Sequence, residues 1–320
     1  MEPVKYDNFF SPENAAFYAS RQYRSLETTR KEIRLLSLLP GKRDDRIICE
    51  IYDNLPLETV SQTYLALSYC AGDHHQTVEI CVNGVAFNVF AGLGAALQRI
   101  RLDEEALEGE KHMIWTDQIC INQSDPVERA HQVLLMRDIY HSSGRVMVWL
   151  GEDLDETRLT FLIHRYRNVR EILDSGRGGI DDDEARDSDL PGAEDTPEAL
   201  LDYATTGYAR LLLEYINNER FARNWQSLRG FAASPWWSRG WICQEIIVAT
   251  SATLMFGDDA MDWEEFCTVW PAIRKAVGQF IQAVQDNPRF LNGPVREMLT
   301  NCGLPQFERI DFLEHSESLA

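Results

Sequence analysis

A short apolar run that ends in dense turn chemistry, residues 113–123, constrains the fold of this chain more than any other feature. The run reads Met-Ile-Trp-Thr-Asp-Gln-Ile-Cys-Ile-Asn-Gln, and its β-branched and aromatic content predicts a short buried strand. Asp117 interrupts the run, and the turn formers of residues 122–126 end it. We therefore expect a strand followed directly by polar residues.

A helix is predicted immediately after this turn. Asp125 is a candidate N-cap, Pro126 suits the first helical position, and Glu128 completes the spacing of a capping box. The apolar residues that recur at helical spacing, and that we expect to be buried, are Val127, Ala130, Val133 and Leu134. A second apolar run over residues 146–150 completes a strand–helix–strand unit.

Strand–helix–strand units build parallel sheets covered by helices, so the predicted fold class is α/β. In such sheets, ligands bind at the carboxyl ends of the strands. Residues 117–123 would lie at such an end, which makes Asp117 and Gln123 candidates for ligand contact.

Composition limits the classes of function. With 320 residues, 44% of them hydrophobic, the chain can bury a full core in one large or two modest domains. The formal net charge of -20 argues against nucleic acid or an anionic membrane as a general partner. No apolar run approaches the roughly 20 residues that span a bilayer, and the first residues lack the features of a signal peptide. We therefore expect a cytoplasmic protein without a membrane span.

Several familiar chemistries find no support in the sequence. The seven cysteines are an odd number without a C-x-x-C pair, so neither a disulfide framework nor a zinc site is predicted. His74 and His75 form a lone pair in a turn, which we interpret as solvated. Gly92-Leu-Gly94 lacks the third glycine of a dinucleotide fingerprint, and we interpret it as a plain helix start. The sequence contains no P-loop, no G-x-S-x-G elbow and no H-E-x-x-H motif.

Local patterns predict the remaining elements. Asn83-Gly84 between the apolar runs 78–82 and 85–89 is the strongest hairpin signal in the chain. Further strands are expected at 47–52, 64–69 and 252–256, and helices at 95–102, 158–173 and 239–249, the last with Ser238 as its cap.

The chain is predicted to have three parts. Residues 1–31 form a helical lead-in, residues 32–258 the main domain, and residues 259–320 a helical or irregular extension. Within the main domain lies an acidic insertion, residues 175–202, with almost no apolar side chains between Asp181 and Leu200. We interpret these residues as a solvated or disordered insertion.

Three segments carry a specific resemblance. They are Tyr64-Leu-Ala-Leu-Ser-Tyr with Gly72, residues 114–123 with Glu128-Arg129, and Trp-Ser-Arg-Gly-Trp-Ile-Cys-Gln-Glu at 237–245. In order and spacing, these segments resemble the three blocks of the fungal heterokaryon-incompatibility (HET) domain, over roughly residues 32–258. One departure matters, because the family usually has Trp before the glycine of the first block, where this chain has Ala71. If that Trp packs over a ligand, binding is weaker or altered in this chain.

The resemblance implies cell death triggered by non-self recognition during fungal cell fusion. HET domains are also distantly similar to TIR domains, which have a flavodoxin-like fold and in several branches cleave NAD. Ser238, Trp241 and Glu245 resemble the TIR pattern Ser-x-x-Trp-x-x-x-Glu, whose glutamate is catalytic. The resemblance therefore implies Glu245 as the catalytic residue and NAD as a substrate, with no resident cofactor or metal.

Physical chemistry gives these residues sensible roles. Cleavage of the nicotinamide–ribose bond passes through an oxocarbenium-like state, which a carboxylate such as Glu245 stabilises. Arg239 can hold a diphosphate, and Trp241 lies four residues from Glu245 on a helix, which places an aromatic wall beside the carboxylate. The candidate substrate-binding residues are Ser68, Gly72, Asp117, Gln123, Arg239, Trp241 and Gln244.

Each candidate also has a structural interpretation. Glu245 can simply pair with Arg239, and Asp117 can cap the following loop. Glu128 is more typical of a capping-box partner than of a catalyst. Gln123 is in a setting where side-chain amides hydrogen-bond loop backbone, and Trp241 can belong to the core.

Two classes of function follow. The first is an NAD-cleaving toxic effector that is activated when several copies come together. The second is a non-catalytic signalling module that associates with itself, or with a sensor or allelic partner protein, and recruits another executor.

Overall fold

The computed structural model describes residues 14–20, 22–102, 113–152, 227, 230–240, 245–268, 270–271 and 275. The chain divides into two compact units. The first comprises Met1–Glu152 and Ser234–Asp262, and the second Asp153–Ala233 and Trp263–Ala320. The expected helix at 158–173 and the acidic insertion at 175–202 lie outside the described residues.

The first unit is built on one mixed sheet, which has nine strands among the described residues. The strands are β1 (Glu32–Leu38), β2 (Ile48–Pro56), β3 (Leu65–Tyr69), β4 (Thr77–Val82), β5 (Val85–Phe90), β6 (Met113–Trp115), β7 (Arg145–Gly151), β8 (Ala252–Phe256) and β9 (Asp259–Asp262). The α-helices are α1 (Ala15–Ala19), α2 (Ala91–Arg101), α3 (Asp117–Cys120) and α4 (Pro126–Ser142). Short 3-10 helices cover Thr28–Arg30, Leu57–Thr59 and Pro235–Ser238.

The centre of the sheet is parallel, as the strand–helix–strand pattern predicts. The strand order is β5-β4-β2-β1-β6-β3-β7-β8-β9, and β6, β3, β7 and β8 run parallel to one another. In chain order these four strands are arranged 2-1-3-4, which is how a flavodoxin-like sheet begins. Antiparallel pairs flank this core on both sides. The predicted α/β class is confirmed.

The predicted hairpin is present as β4 and β5, which pair antiparallel from Thr77 opposite Phe90 to Val82 opposite Val85. Asn83 and Gly84 both have positive φ angles, 50° and 80°, which a type I′ turn requires. The Asn83 side chain also accepts a hydrogen bond from the amide of Ile51, 2.9 Å away, and so ties the hairpin to β2.

The predicted buried face of α4 is wrong. Val127 and Leu134 are 79% and 85% exposed, and Ala130 and Val133 are exposed as well. The helix packs instead through its 128–132–135–139 stripe, in which Gln132, Leu135 and Ile139 are buried. Two of the four residues of this stripe are polar. Glu128 accepts hydrogen bonds from the guanidinium of Arg34, and Gln132 donates one to the carbonyl of Glu32. The apolar periodicity therefore indicated the solvent side.

The start of α4 agrees with the prediction only in part. Asp125 is the N-cap, and its side chain accepts from the amides of Val127 and Glu128. Glu128, however, does not complete a capping box. Its carboxylate accepts from the amide of Asn122 at 2.7 Å and pairs with Arg34, because that buried cation outcompetes the N-cap amide for the carboxylate.

Three other boundaries differ from the expectation. Asp117–Cys120 form the helical turn α3 and do not continue β6, which ends at Trp115. Ser238 is not a helix cap, since it ends the 3-10 helix that Ser234 caps, and Arg239 after it is extended. The helix α2 begins at Ala91, four residues before its predicted start. The strand β9 was not predicted, because residues 259–320 were expected to be helical or irregular.

The second unit is described over few residues. Residues 230–232 and 263–268 are helical. Their aromatic rings pack together, with centroids 5.6 Å apart for Phe231 and Phe266 and 5.3 Å for Phe266 and Trp270. Trp270 is buried, as expected of a core aromatic.

Candidate functional site

The candidate site lies at the point in the parallel sheet where the order of the strands reverses. β3 and β7 are neighbours, but β6, the strand of the parallel core that follows β3, lies on one side of this pair, and β8, which follows β7, lies on the other. Such a topological switch point is where ligands bind in open α/β sheets, near the carboxyl ends of the strands. Ser68 is the fourth of the five residues of β3 and pairs with Val148 of β7.

A buried hydrogen-bonded cluster is centred on Glu245. The Ser68 hydroxyl donates a short hydrogen bond to Oε2 of Glu245 and accepts one from Nε1 of Trp236 at 2.7 Å. The guanidinium of Arg239 donates to both carboxylate oxygens, at 3.2 Å and 3.1 Å. Glu245 is 1% exposed. The predicted pairing of Glu245 with Arg239 is confirmed.

The end of β7 holds the segment that supplies Trp236 and Arg239. The Ser234 hydroxyl donates to the carbonyl of Leu150 at 2.6 Å and caps the short 3-10 helix that follows. This anchor places the buried indole of Trp236 against Ser68. Arg239, directly after the helix, is extended, and its side chain reaches back to Glu245 six residues later.

Burial and charge act in opposite directions on this carboxylate. Burial raises the pKa of Glu245 above its usual range, against the lowering effects of Arg239 and of the Ser68 hydrogen bond, and the charge of Asp117 adds to the rise. Burial alone lowers the pKa of Arg239, but Glu245 and other neighbouring groups outweigh it and raise the pKa. The carboxyl group is thus held by specific donors in a site that disfavours its charge, an arrangement typical of functional sites.

Asp117 belongs to the same edge of the sheet. Its Oδ1 accepts from the Tyr69 phenol at 2.9 Å and from the amide of Gln118 at 2.7 Å. Burial, with the Asp117 charge beside it, raises the pKa of Tyr69. Burial and then Glu245 raise the pKa of Tyr140, whose hydroxyl donates to the carbonyl of Leu67. The charges of Glu245 and Asp117 therefore both act on Tyr140, whose pKa each of them raises.

The other substrate-binding candidates are placed differently. The side-chain amide of Gln123 donates to the carbonyl of Asp117 at 2.8 Å, as its loop-backbone interpretation predicts. Gly72 has a φ of +77° in the turn after β3, with open space where a Cβ would stand. Within the described residues, nothing links Gly72 to Glu245 by a hydrogen bond. Trp241 and Gln244 lie outside the described residues.

The loop after β3 packs closely on the start of α2. A Cβ at Gly92 would lie 2.3 Å from the carbonyl oxygen of Cys70, so only glycine fits there. Gly92 therefore does more than begin a helix, since it brings α2 against residues 70–71 beside the site, whereas Gly94 lies against Val78.

Comparison with known sequences gives a specific result once this geometry is known. Residues 64–245, more than half of the chain, match the family model described as "Heterokaryon incompatibility protein (HET)". The chain belongs to the heterokaryon incompatibility (HET) family. The match begins at Tyr64, just before β3, and ends at Glu245.

A curated relative supports the same assignment. The chain is 40% identical over 134 residues to "Heterokaryon incompatibility protein 6, OR allele" of Neurospora crassa. The match covers 39% of this chain and 19% of the relative, so the chain spans about a fifth of the length of that protein. No solved structure matches the chain.

The cysteine of the second HET block is structural. Cys120 is buried, and burial raises the pKa of its thiol to about 12. Its sulfur lies 3.5 Å from the amide of Thr116 and 3.7 Å from the carbonyl of Ile114. A thiol held in this way closes the turn after β6 and does not provide a thiolate nucleophile at neutral pH.

Trp236 is a residue of the candidate site whose role the sequence did not reveal. A tryptophan in an apolar segment is ordinarily a core side chain, and Trp236 is fully buried. Its indole N–H nevertheless orients the hydroxyl of Ser68, 168 residues away in the chain. The available signal was indirect, because a buried indole N–H usually finds an acceptor.

The described residues offer one trio of possible metal ligands, and it is exposed. Ligand atoms of Asp73, His74 and His75 lie within 4.8 Å of one another. The side chains of Asp73 and His74 are 51% and 50% exposed, in agreement with the interpretation of a solvated turn. Among the described helices, none has the length and apolar character needed to cross a bilayer.

Proposed function

We propose that this HET-family chain is an effector of heterokaryon incompatibility that kills by hydrolysing the bond between nicotinamide and ribose in NAD. One observation carries the proposal: three segments far apart in the sequence bring Ser68, Asp117 and the Arg239–Glu245 pair to the switch point of the sheet. The name of the Neurospora relative supports the incompatibility role. We also propose that this chain acts together with a sensor protein or an allelic partner protein.

The reaction needs one well-placed carboxylate. The bond between C1′ of the ribose and the nicotinamide nitrogen breaks, and its electron pair neutralises the pyridinium, so the leaving group departs without a proton. Water then adds to the oxocarbenium-like C1′ and releases a proton, giving ADP-ribose. Ionised Glu245 stabilises the positive charge on the sugar, directly or through a ribose hydroxyl.

The neighbouring groups have defined roles in this proposal. Arg239 is 25% exposed at its side chain and turns from Glu245 to the diphosphate of NAD, which frees carboxylate lone pairs for the sugar. Ser68, held by Trp236, keeps Glu245 oriented during this exchange. Asp117 and Gln123 line the adjacent strand end, and Gly72 contributes backbone donors from the turn.

Nicotinamide release is the decisive measurement. Purified protein mixed with NAD should release nicotinamide, and Glu245→Gln should reduce the release by about 100- to 1000-fold, with an unchanged circular dichroism spectrum and no fall in melting temperature. Intact NAD at high protein concentration would exclude the enzymatic proposal.

One observation favours a second candidate, a non-catalytic assembly module. In the described structure, Oε2 of Glu245 accepts two hydrogen bonds and Oε1 one, and the residue is 1% exposed. A buried carboxylate paired in this way can serve to hold β3 to the residues around Arg239, without contact to a ligand. In that case Glu245→Gln lowers stability, killing falls with stability, and NAD is never consumed. The same variant therefore separates the two functions.

A further inference from the structure

The outward side of α4 is apolar and unusually exposed. We call this surface the outer face of α4, and it consists of Pro126, Val127, Arg129, Ala130, Val133, Leu134 and Arg137. Val127 and Leu134, two turns apart, are 79% and 85% exposed, and Val133 is 38% exposed. Large apolar side chains clustered on a surface mark interaction sites.

The charges on α4 give this face a sign. Its two acidic residues are engaged, Glu128 with Arg34 and Asp138 with Lys31 at 2.8 Å. Arg129 and Arg137 remain at the surface, and neither forms an ion pair with another residue in the described ranges. The outer face is thus apolar with two uncompensated cations, on a chain whose formal net charge is -20.

We infer that the outer face of α4 docks on an acidic surface of a second copy of this chain, in a head-to-tail contact. A face of this kind is complementary to an acidic surface that also has apolar side chains. Within α4 two arginines balance two carboxylates, so the formal net charge of -20 of each copy lies entirely outside this helix. A two-fold symmetric contact is disfavoured, because it would bring Arg129 and Arg137 of both copies, four cations, into one interface. The two carboxylates of each helix, Glu128 and Asp138, are already paired with other residues and do not neutralise these cations.

A head-to-tail contact has a structural consequence. Each copy then uses its outer face of α4 once and its acidic surface once, so the assembly grows beyond a dimer into a ring or a filament. The contact is electrostatically assisted, so it weakens with salt.

The inner side of α4 connects this contact to the candidate site. Tyr140 donates to the carbonyl of Leu67, next to Ser68, and the His141 ring lies 3.0 Å from the carbonyl oxygen of Val248, three residues after Glu245. Docking on the outer face would steady a helix that supports both sides of the Ser68–Glu245 bond. Only this link to activity rests on the proposed function.

The contact is tested by mass, independently of activity. Sedimentation velocity of the full chain over a range of concentrations should show species larger than dimers at low salt, and these should dissociate at high salt. The variant Val127→Glu/Leu134→Glu should bind on the order of 100-fold more weakly, since it removes the two central apolar contacts and adds repulsive charge. Because both residues are exposed, the variant should keep the wild-type melting temperature. Ile48→Glu, at an exposed apolar residue of β2 (43%), is the matched control and should assemble like the wild type.

Mixing separates the two symmetries. The double variant keeps its acidic surface, so a fluorescently labelled sample should join the wild-type assembly as a terminal copy and lower its mean mass. A wild type that is monomeric at all concentrations, one that stops at dimers, or association unchanged in the double variant would each overturn the inference. If NAD is cleaved, specific activity should rise with concentration in the wild type and not in the double variant. If NAD is not cleaved, the masses still decide.

Discussion

Among the described residues of the first unit, two arginine–glutamate pairs have both partners largely buried, and they are built in opposite ways. In one pair Arg34 is the more deeply buried partner, at 0% exposure beside Glu128 at 11%. In the other Glu245 is the more deeply buried, at 1% beside Arg239 at 25%. A buried cation among carboxylates and a buried carboxylate under a partly exposed cation have different uses, although their hydrogen bonds look alike.

The Arg34 pair is complete. A guanidinium has five N–H donors, and all five of Arg34 are used: two on Glu128, one on Asp53, and one each on the carbonyls of Arg24 and Cys120. Its face also lies 4.7 Å from the ring centroid of Tyr23. Burial alone lowers the pKa of Arg34, but its carboxylate partners raise it overall. Such a residue joins β1, β2 and the start of α4, and has nothing left to offer a ligand.

The Glu245 pair is open on one side. Arg239 gives two hydrogen bonds to Glu245 and reaches solvent, so the cation can exchange partners while the carboxylate stays in place. Burial raises the pKa of Glu245, which makes this carboxylate costly to hold ionised. The contrast indicates that saturation of the cation distinguishes a structural pair from a candidate functional one.

Replacing Arg34 should have the largest effect. Arg34→Met leaves Glu128 and Asp53 without their cation, and breaking one side of a buried pair typically costs about 3–5 kcal/mol of unfolding free energy. Urea denaturation measures the loss. Arg46→Met is the matched control, because Arg46 and Glu79 form an exposed pair at 47% and 57% exposure, and such pairs contribute about 0–1 kcal/mol. Equal losses in the two variants would remove the basis of the comparison.

Exchanging the two glutamates for glutamine should give opposite phenotypes. Glu245→Gln should lower the rate of NAD hydrolysis by about 100- to 1000-fold, the usual effect of losing one electrostatic stabiliser of the transition state, without lowering the melting temperature. Glu128→Gln should lower stability, because it leaves Arg34 under-compensated, while the activity per folded molecule is retained. Nicotinamide release and thermal unfolding of both variants would reveal the opposite pattern if the assignment is reversed.

Removing Arg239 should move the pH profile. Arg239 lowers the pKa of Glu245 against the raising effect of burial, so in Arg239→Gln that pKa should rise further. If activity needs ionised Glu245, its acid limb lies above pH 4.5 in the wild type and shifts to higher pH in the variant. KM should also increase, by about tenfold if the guanidinium binds the diphosphate. An unshifted acid limb would show that Arg239 and Glu245 are not coupled in catalysis.

Stability should depend on pH through the same carboxyl group. Because the folded-state pKa of Glu245 is raised above 4.5, the folded state binds this proton more tightly than the unfolded state does. The contribution of Glu245 to the free energy of unfolding is therefore highest below pH 4.5, falls as pH rises through the raised pKa, and stays low above it. The wild type should lose stability relative to Glu245→Gln over that interval in urea titrations. A difference that is independent of pH would show that the pKa is not raised.

The sequence predicts what local patterns determine. The hairpin at Asn83-Gly84 and the strands of the parallel core have short-range signals, and they form as expected. The pairing of Arg239 with Glu245 was also accessible, since the residues are six apart in one segment.

Local sequence patterns do not reveal long-range polar contacts. Arg34 stands inside an apolar run, and its carboxylate partners are 19 and 94 residues away. The periodicity of α4 was misleading for the same reason, because the helix faces the protein with the polar side chains that Arg34 and the carbonyl of Glu32 bind. A pattern of apolar residues carries no information about where buried polar groups find partners.

The smallest expected effect concerns Ala71, which stands where HET domains usually have Trp. Ala71 lies at the edge of the site, in the loop packed on Gly92, and is partly exposed. If the family Trp packs over the ligand, Ala71→Trp should lower KM for NAD about fivefold, equivalent to about 1 kcal/mol of aromatic contact. The value of kcat should be unchanged, because the contact is the same in ground and transition states. Ala86→Trp, at an exposed residue of β5, is the matched control. An unchanged KM would place the loop outside the binding site. Ligand contact would then depend on Arg239, which uses only two of its five N–H donors on Glu245, and not on the turn after β3.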